Sequence, residues 1–143
     1  MRAMWAVVVL AGCGAETAAG REELLAIAQS GAYTSWRAEP RAHPSTGPHG
    51  GTVRTFLNEP LYESLMSGAT EHPPGSIAVK ELFTNGERAG WAVDKKRDDG
   101  TWVFFEGFEP SLDQYYFEGT ANGCASCHAS GVDYLLVPAS NFP

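Results

Sequence analysis

Cys124, Cys127 and His128 stand in the run Cys124-Ala125-Ser126-Cys127-His128. Two thiols three positions apart, with an imidazole directly after the second, form the attachment pattern of c-type haem. The sulfurs add across the two vinyl groups and the histidine takes an axial position on the iron. The spacing serves that chemistry, because two intervening residues let both sulfurs face one edge of the porphyrin while the adjacent imidazole reaches the metal. Other readings compete. A Cys124–Cys127 disulfide needs no histidine, and a thioredoxin-type redox pair sits at a helix N-terminus early in a βαβ unit, whereas this pair lies near the C-terminus. A zinc site needs four ligands or three plus water, so His128 and a distant histidine would have to complete it. The motif predicts one covalent haem c with His128 as the axial iron ligand.

The sixth coordination position separates an electron carrier from a reactive site, since methionine or histidine there closes the iron to small ligands. Only fifteen residues follow His128, none of them methionine, and Met1 and Met4 fall in an apparent leader. Met66 is then the sole sulfur candidate, and the expectation is a five-coordinate iron with an open or weakly filled distal side. Residues 39–51 form a loop by composition, with Pro40, Pro44, Pro48 and the Gly50-Gly51 pair. That loop carries Arg41, His43 and His49, and the two histidines are candidates to approach the haem or its propionates. His72, before Pro73-Pro74, has no partner evident in the sequence.

The N-terminus supplies the context that covalent haem requires. One arginine, an apolar run and small residues precede Cys13, which reads as an export signal over 1–12. The run is short of the ~20 apolar residues of a membrane span. Its ending Leu10-Ala11-Gly12-Cys13 resembles the bacterial lipobox and implies lipidation of Cys13, which would anchor the protein on the periplasmic side of a bacterial membrane. Cys13 as an ordinary leader residue is the alternative. Residues 14–20 are small and featureless, as a flexible tether is, and a short helix is expected over 21–29, so 13–30 divides into lipidated cysteine, tether and helix start. The haem domain is then 31–143.

The elements around the motif read as strands. Of 143 residues 43% are hydrophobic, and sixteen glycines and nine prolines imply many turns. Strand 52–58 is followed by a helix opened by Glu59-Pro60 and stopped by Gly68. Strand 76–83 ends at the turn signal Asn85-Gly86, and 91–93 pairs with 101–106 through Asp98-Asp99-Gly100. The fold class is α+β, predominantly antiparallel β: a single small domain with a meander sheet, a few short helices and the haem motif near the C-terminus. A formal charge of −7 without a Lys/Arg-rich run argues against nucleic acid.

Taken together, residues 33–37 (Tyr-Thr-Ser-Trp-Arg), 52–58, 74–82 (Pro-Gly-Ser-Ile-Ala-Val-Lys-Glu-Leu), 100–105 and 124–128 resemble the cytochrome P-460 family, which includes the β-type cytochromes c′. The resemblance implies that Lys80 sits beside the haem, where the family's lysine bonds covalently to the porphyrin. A neutral amine is a nucleophile, and such a bond would retune the macrocycle. A surface lysine is the plain alternative, because alternation puts Lys80 with Ala78 and Leu82 without saying which side is inside. The resemblance further implies oxidation of hydroxylamine assisted by a distal carboxylate, or binding of nitric oxide under an aromatic cap. Residues 89–93 offer no carboxylate, which leaves Glu87, Asp94 or Glu106 to substitute, and Phe56, Trp91, Phe104 and Phe105 are candidates for a cap or for plain core. Arg54 suits a haem propionate by charge and bidentate geometry. The implied partners are a small gaseous or nitrogenous ligand, a redox protein and, as a homodimer, a second copy. Two other functions stay open: a tethered electron carrier with a filled sixth position, and a haem-free interaction domain closed by a disulfide.

Overall fold

The computed structural model describes residues 13–111, 115–119 and 123–143. Seven strands form one antiparallel sheet: β1 (Arg37–Ala38), β2 (His43–Pro44), β3 (Thr52–Leu57), β4 (Ile77–Thr84), β5 (Glu87–Lys96), β6 (Trp102–Phe108) and β7 (Tyr115–Glu118). Their order is β1-β3-β4-β5-β6-β7, with β2 pairing on β3. The central strands follow one another as a meander, so the α+β, mostly antiparallel architecture expected from the sequence is the one observed. Asn85 and Gly86 take φ of +54° and +85°, the two left-handed residues that a type I′ turn requires, and they close β4 onto β5. β1, β2 and β7 are additions that the sequence reading does not assign, and β2 lies inside residues 39–51, expected as loop, where two residues pair with β3.

Among the described residues three α-helices, α1 (Cys13–Ser30), α2 (Glu59–Met66) and α3 (Gly123–His128), accompany the sheet. α1 begins at Cys13, so residues 14–20, expected as a tether, are helical; three of the seven are alanine, which favours helix over the disorder that small residues suggest. It ends where Gly31 turns left-handed at φ +67°. Gly20, Leu24 and Ala28, four apart, make its buried stripe. A Cβ at Gly20 would lie 2.0 Å from the Tyr116 hydroxyl, so a larger residue there would displace Tyr116 from its place beside α1. α2 is capped by Asn58, whose Oδ1 accepts from Leu61 N at 3.4 Å and from Ile77 N at 2.9 Å, tying the helix to β4. The leader read over 1–12 and the side chain of Cys13 lie outside the described residues.

Strand alternation sorts the sheet into two faces. Phe56, Val79, Trp91, Val93, Val103 and Phe105 project toward α1 and bury Leu24, Ala28 and Tyr33 in one apolar cluster. On the opposite face Thr55, Lys80, Ala92, Glu106 and Tyr115 stand in register across β3 to β7. One end of that face is covered by α2 and the C-terminal segment, through Leu57, Leu61, Ala78, Leu135 and Phe142. α3 packs beside it on Trp102 and Phe104.

Candidate haem-binding site

α3 is fixed in roll by Ala125, which is fully buried against Trp102 and Phe104. With Ala125 turned to the sheet, Cys124, Cys127 and His128 all border one cavity of ≈ 600 Å³. Sites for small molecules and cofactors span ~300–1,000 Å³. Cys124 is partly buried, Cys127 is exposed, and both are free thiols. His128 is buried, edge-on to the Phe104 ring at 5.2 Å between centroids. Its Nδ1 donates to the Tyr134 carbonyl at 2.9 Å, with Asp94 Oδ2 3.6 Å away. A carbonyl can only accept, so Nδ1 carries the proton and Nε2 keeps its lone pair. A metal-binding histidine needs that tautomer and that kind of anchor.

The carbonyl is delivered by a strained turn. Asp133 and Tyr134 have φ of +44° and +66°, left-handed positions that cost non-glycine residues ~1–3 kcal/mol each. The turn is closed by Val132–Leu135 bonds in both directions, at 3.0 and 2.9 Å. It is held by Asp133, whose carboxylate accepts from Lys96 Nζ (2.8 Å), the His72 amide (2.8 Å) and Trp102 Nε1 (3.2 Å). Burial by itself would raise the Asp133 pKa, but the Lys96 ammonium and the two N–H donors outweigh it and hold the carboxyl below its ordinary range. Local strain is thus maintained by a buried ion pair behind the motif.

The cavity's other walls come from distant parts of the chain. The sheet row contributes Thr55, Lys80, Glu106 and Tyr115, with Phe117 beside them. Among the described residues the Lys80 side chain has no hydrogen-bond or ion-pair partner, and no other lysine or arginine borders the cavity. Glu106 pairs with His49 Nδ1. Glu39, only 1% exposed, accepts from the Thr55 amide at 2.7 Å and from the Asn141 side chain, and faces His43 Nε2 at 3.1 Å. The walls therefore combine one unpaired cation, two carboxylates and two histidines with an apolar rim that includes Leu136, Val137 and Pro138.

The Cys124 thiol does not have the environment of a disulfide-exchange nucleophile. Burial, with Asp94, Glu106 and Cys127 nearby, pushes the Cys124 thiol up to about 11. Attacking thiols of disulfide exchange are depressed instead. Among the described residues no group of three or more His, Cys, Asp and Glu side chains is arranged to hold a bare metal ion, so the zinc reading has no ligand set there. A haem fits what is present: two free thiols, an oriented imidazole and a concave space shared by all three.

Several sequence candidates lie elsewhere. Arg54 is on the α1 face of β3, where its Nε donates to the Glu39 carbonyl at 2.8 Å and its guanidinium covers Phe56, so it does not border the cavity. Phe56, Trp91 and Phe105 are in the α1-side core for the same reason of alternation; Phe104 touches His128, and the aromatic walls are Tyr115 and Phe117 of β7. Met66 is 45% exposed on α2 and does not border the cavity. Of the substitute carboxylates, Glu106 borders the cavity, Asp94 stands behind His128, and Glu87 is exposed. Arg41 is exposed, while His43 and His49 both reach the cavity. Glu39 was not singled out, although Glu-Pro at a loop start beside histidines was its only local signal.

No protein-family model, no curated protein and no solved structure matches the chain. Among the described residues no helix is long and apolar enough to cross a membrane.

Proposed function

We propose that the chain is an exported mono-haem c-type cytochrome of the P-460 type, which binds or oxidises a small nitrogen ligand such as nitric oxide or hydroxylamine. One observation carries the reading: His128, its Nδ1 tied to the Tyr134 carbonyl, borders the same cavity as both thiols and Lys80. Cys124 and Cys127 would hold the haem through thioethers and His128 Nε2 would hold its iron. The bound group would supply the redox-active metal. Lys80 on the cavity wall would, as the ammonium, take a propionate, or, as the neutral amine, form the bond to the macrocycle that the resemblance implies, an N–H and a macrocycle C–H being lost as two protons and two electrons to an oxidant of the peroxide class. Glu106 and Glu39 would accept protons released when a nitrogen substrate is oxidised, the part left vacant by residues 89–93. Tyr115, Phe117 and Leu136 would exclude water from the reacting side. With the leader and a lipidated Cys13 the domain would work at the periplasmic face of a membrane, exchanging electrons with a redox protein there.

A second reading, an electron carrier with both axial positions filled, is favoured by the placement of His49 beside His128. The test of the haem reading is expression of the full chain with a haem-attachment system, followed by intact mass and optical spectra. The expected product is heavier by one haem, and Cys124→Ala with Cys127→Ala removes that mass. A red-shifted ferrous Soret band that Lys80→Ala returns to ordinary haem c is expected for the crosslink. A folded wild-type product without haem would reject the reading.

A further inference from the structure

We propose that His49 is the second axial ligand of the iron that His128 holds, oriented by Glu106, and that small ligands enter by displacing it. The inference rests on the haem reading of Cys124, Cys127 and His128, and changes it in one respect: the sixth position is filled at rest and can be vacated.

The two imidazoles are 6.3 Å apart between ring centroids and nearly perpendicular, at 85°. Two metal–nitrogen bonds of ~2.0–2.1 Å, plus the distance from each nitrogen to its own ring centre, sum to roughly that separation. Both rings border the cavity. Both also have Nδ1 engaged by an oxygen, the Tyr134 carbonyl for His128 and the Glu106 carboxylate for His49. Such an acceptor fixes the tautomer, leaves Nε2 as the donor atom, and makes a carboxylate–histidine–metal arrangement on the His49 side.

The other histidine that borders the cavity beside His49 and His128 is already engaged on both ring nitrogens. His43 has both ring nitrogens against oxygens, Pro44 O at 2.9 Å and Glu39 Oε1 at 3.1 Å. Met66 does not border the cavity. The carrier of His49 also suits a ligand that must yield: it lies in the connection between β2 and β3, ahead of Gly50 and Gly51 at φ +68° and +55°, whereas His128 is fixed on a helix against the sheet. Glu106, by contrast, stands on β6, so the pair joins a loop residue to a strand residue.

The experiment compares wild type, His49→Ala and Glu106→Gln as full chains, each first shown by mass to carry covalent haem. Wild-type ferric protein is expected to be six-coordinate and low-spin. His49→Ala is expected to become high-spin, to recover the low-spin spectrum with added imidazole, and to bind carbon monoxide in the ferrous state about 10- to 100-fold more tightly, the factor expected when ~1–10% of the resting protein has an open iron. Glu106→Gln should shift the mixture toward high spin while keeping the haem. A high-spin wild type, or a His49→Ala spectrum identical to wild type, would overturn the assignment while leaving the haem reading standing. Failure of haem attachment in wild type would remove both.

Discussion

Toward α1 the sheet presents a matched apolar surface, in which the buried Tyr33 hydroxyl donates to Glu81 and accepts from Trp91 Nε1, each at 2.8 Å. Toward α3 the same strands present Thr55, Lys80 and Glu106 around a cavity, with buried Glu39 at its edge. Charged groups along a cavity wall make fewer packing contacts than an apolar cluster does and so stabilise the fold less. The difference teaches that the α1 face is closed as an apolar cluster and holds the domain together, whereas the α3 face keeps polar and charged side chains around a cavity.

The comparison breaks most sharply at its two extremes. Cys124→Ala with Cys127→Ala should abolish covalent haem completely, seen in the mass and Soret absorbance, yet leave the far-ultraviolet signature of the sheet. Leu24→Ala on the other side, at a fully buried position, should cost ~2–5 kcal/mol in urea unfolding and leave the haem spectrum of the folded fraction unchanged. Loss of haem binding in that variant, at conditions where it remains folded, would show that the faces are not separable.

Asp133→Ala tests the support behind the cavity. It strips a buried ammonium, Lys96 at 2% exposure, of its nearest carboxylate. Breaking such a pair costs ~3–5 kcal/mol, with the lower end expected because Glu71 and the His72 carbonyl still face the amine. Unlike Leu24→Ala, it should also shift the haem spectrum, since the turn that aims the Tyr134 carbonyl at His128 loses its anchor.

A smaller effect concerns acid. Burial holds His72 below its ordinary pKa, outweighing the attraction of Asp133. The unfolded chain therefore binds a proton that the native one refuses, so this contribution to stability is complete above about pH 6.5 and declines as pH falls toward the lowered native value. Urea unfolding at pH 7.5 and 5.5 should show the loss, and His72→Gln should flatten it. The smallest expected change is at Asp94→Asn: removing a negative charge 3.6 Å from His128 Nδ1 should raise the haem reduction potential in a redox titration, with spin state unaltered.

Local chemistry made part of this legible in one dimension. The spacing of Cys124, Cys127 and His128 reads as an attachment motif wherever the chain places it, and the Asn85-Gly86 turn, the helix opened by Glu59-Pro60 and strands at 52–58 and 76–83 depend on neighbours within a few residues. Where the sequence reading missed, the deciding contact was remote. Residues 14–20 look like a tether until α1 has a sheet to lie on, and Gly20 serves close approach to Tyr116 rather than flexibility.

Alternation establishes that Lys80 shares a side with Ala78 and Leu82, and that Arg54 and Phe56 share the other side of their own strand. Which side faces the cavity was decided by tertiary structure, because α1 covers one face of the sheet and α3 packs on the other. The acceptor for His128, the pairing of Glu106 with His49 across 57 positions, and the burial of Glu39 belong to the same class. A sequence records which groups the chain has; only closure of long loops determines which of them meet.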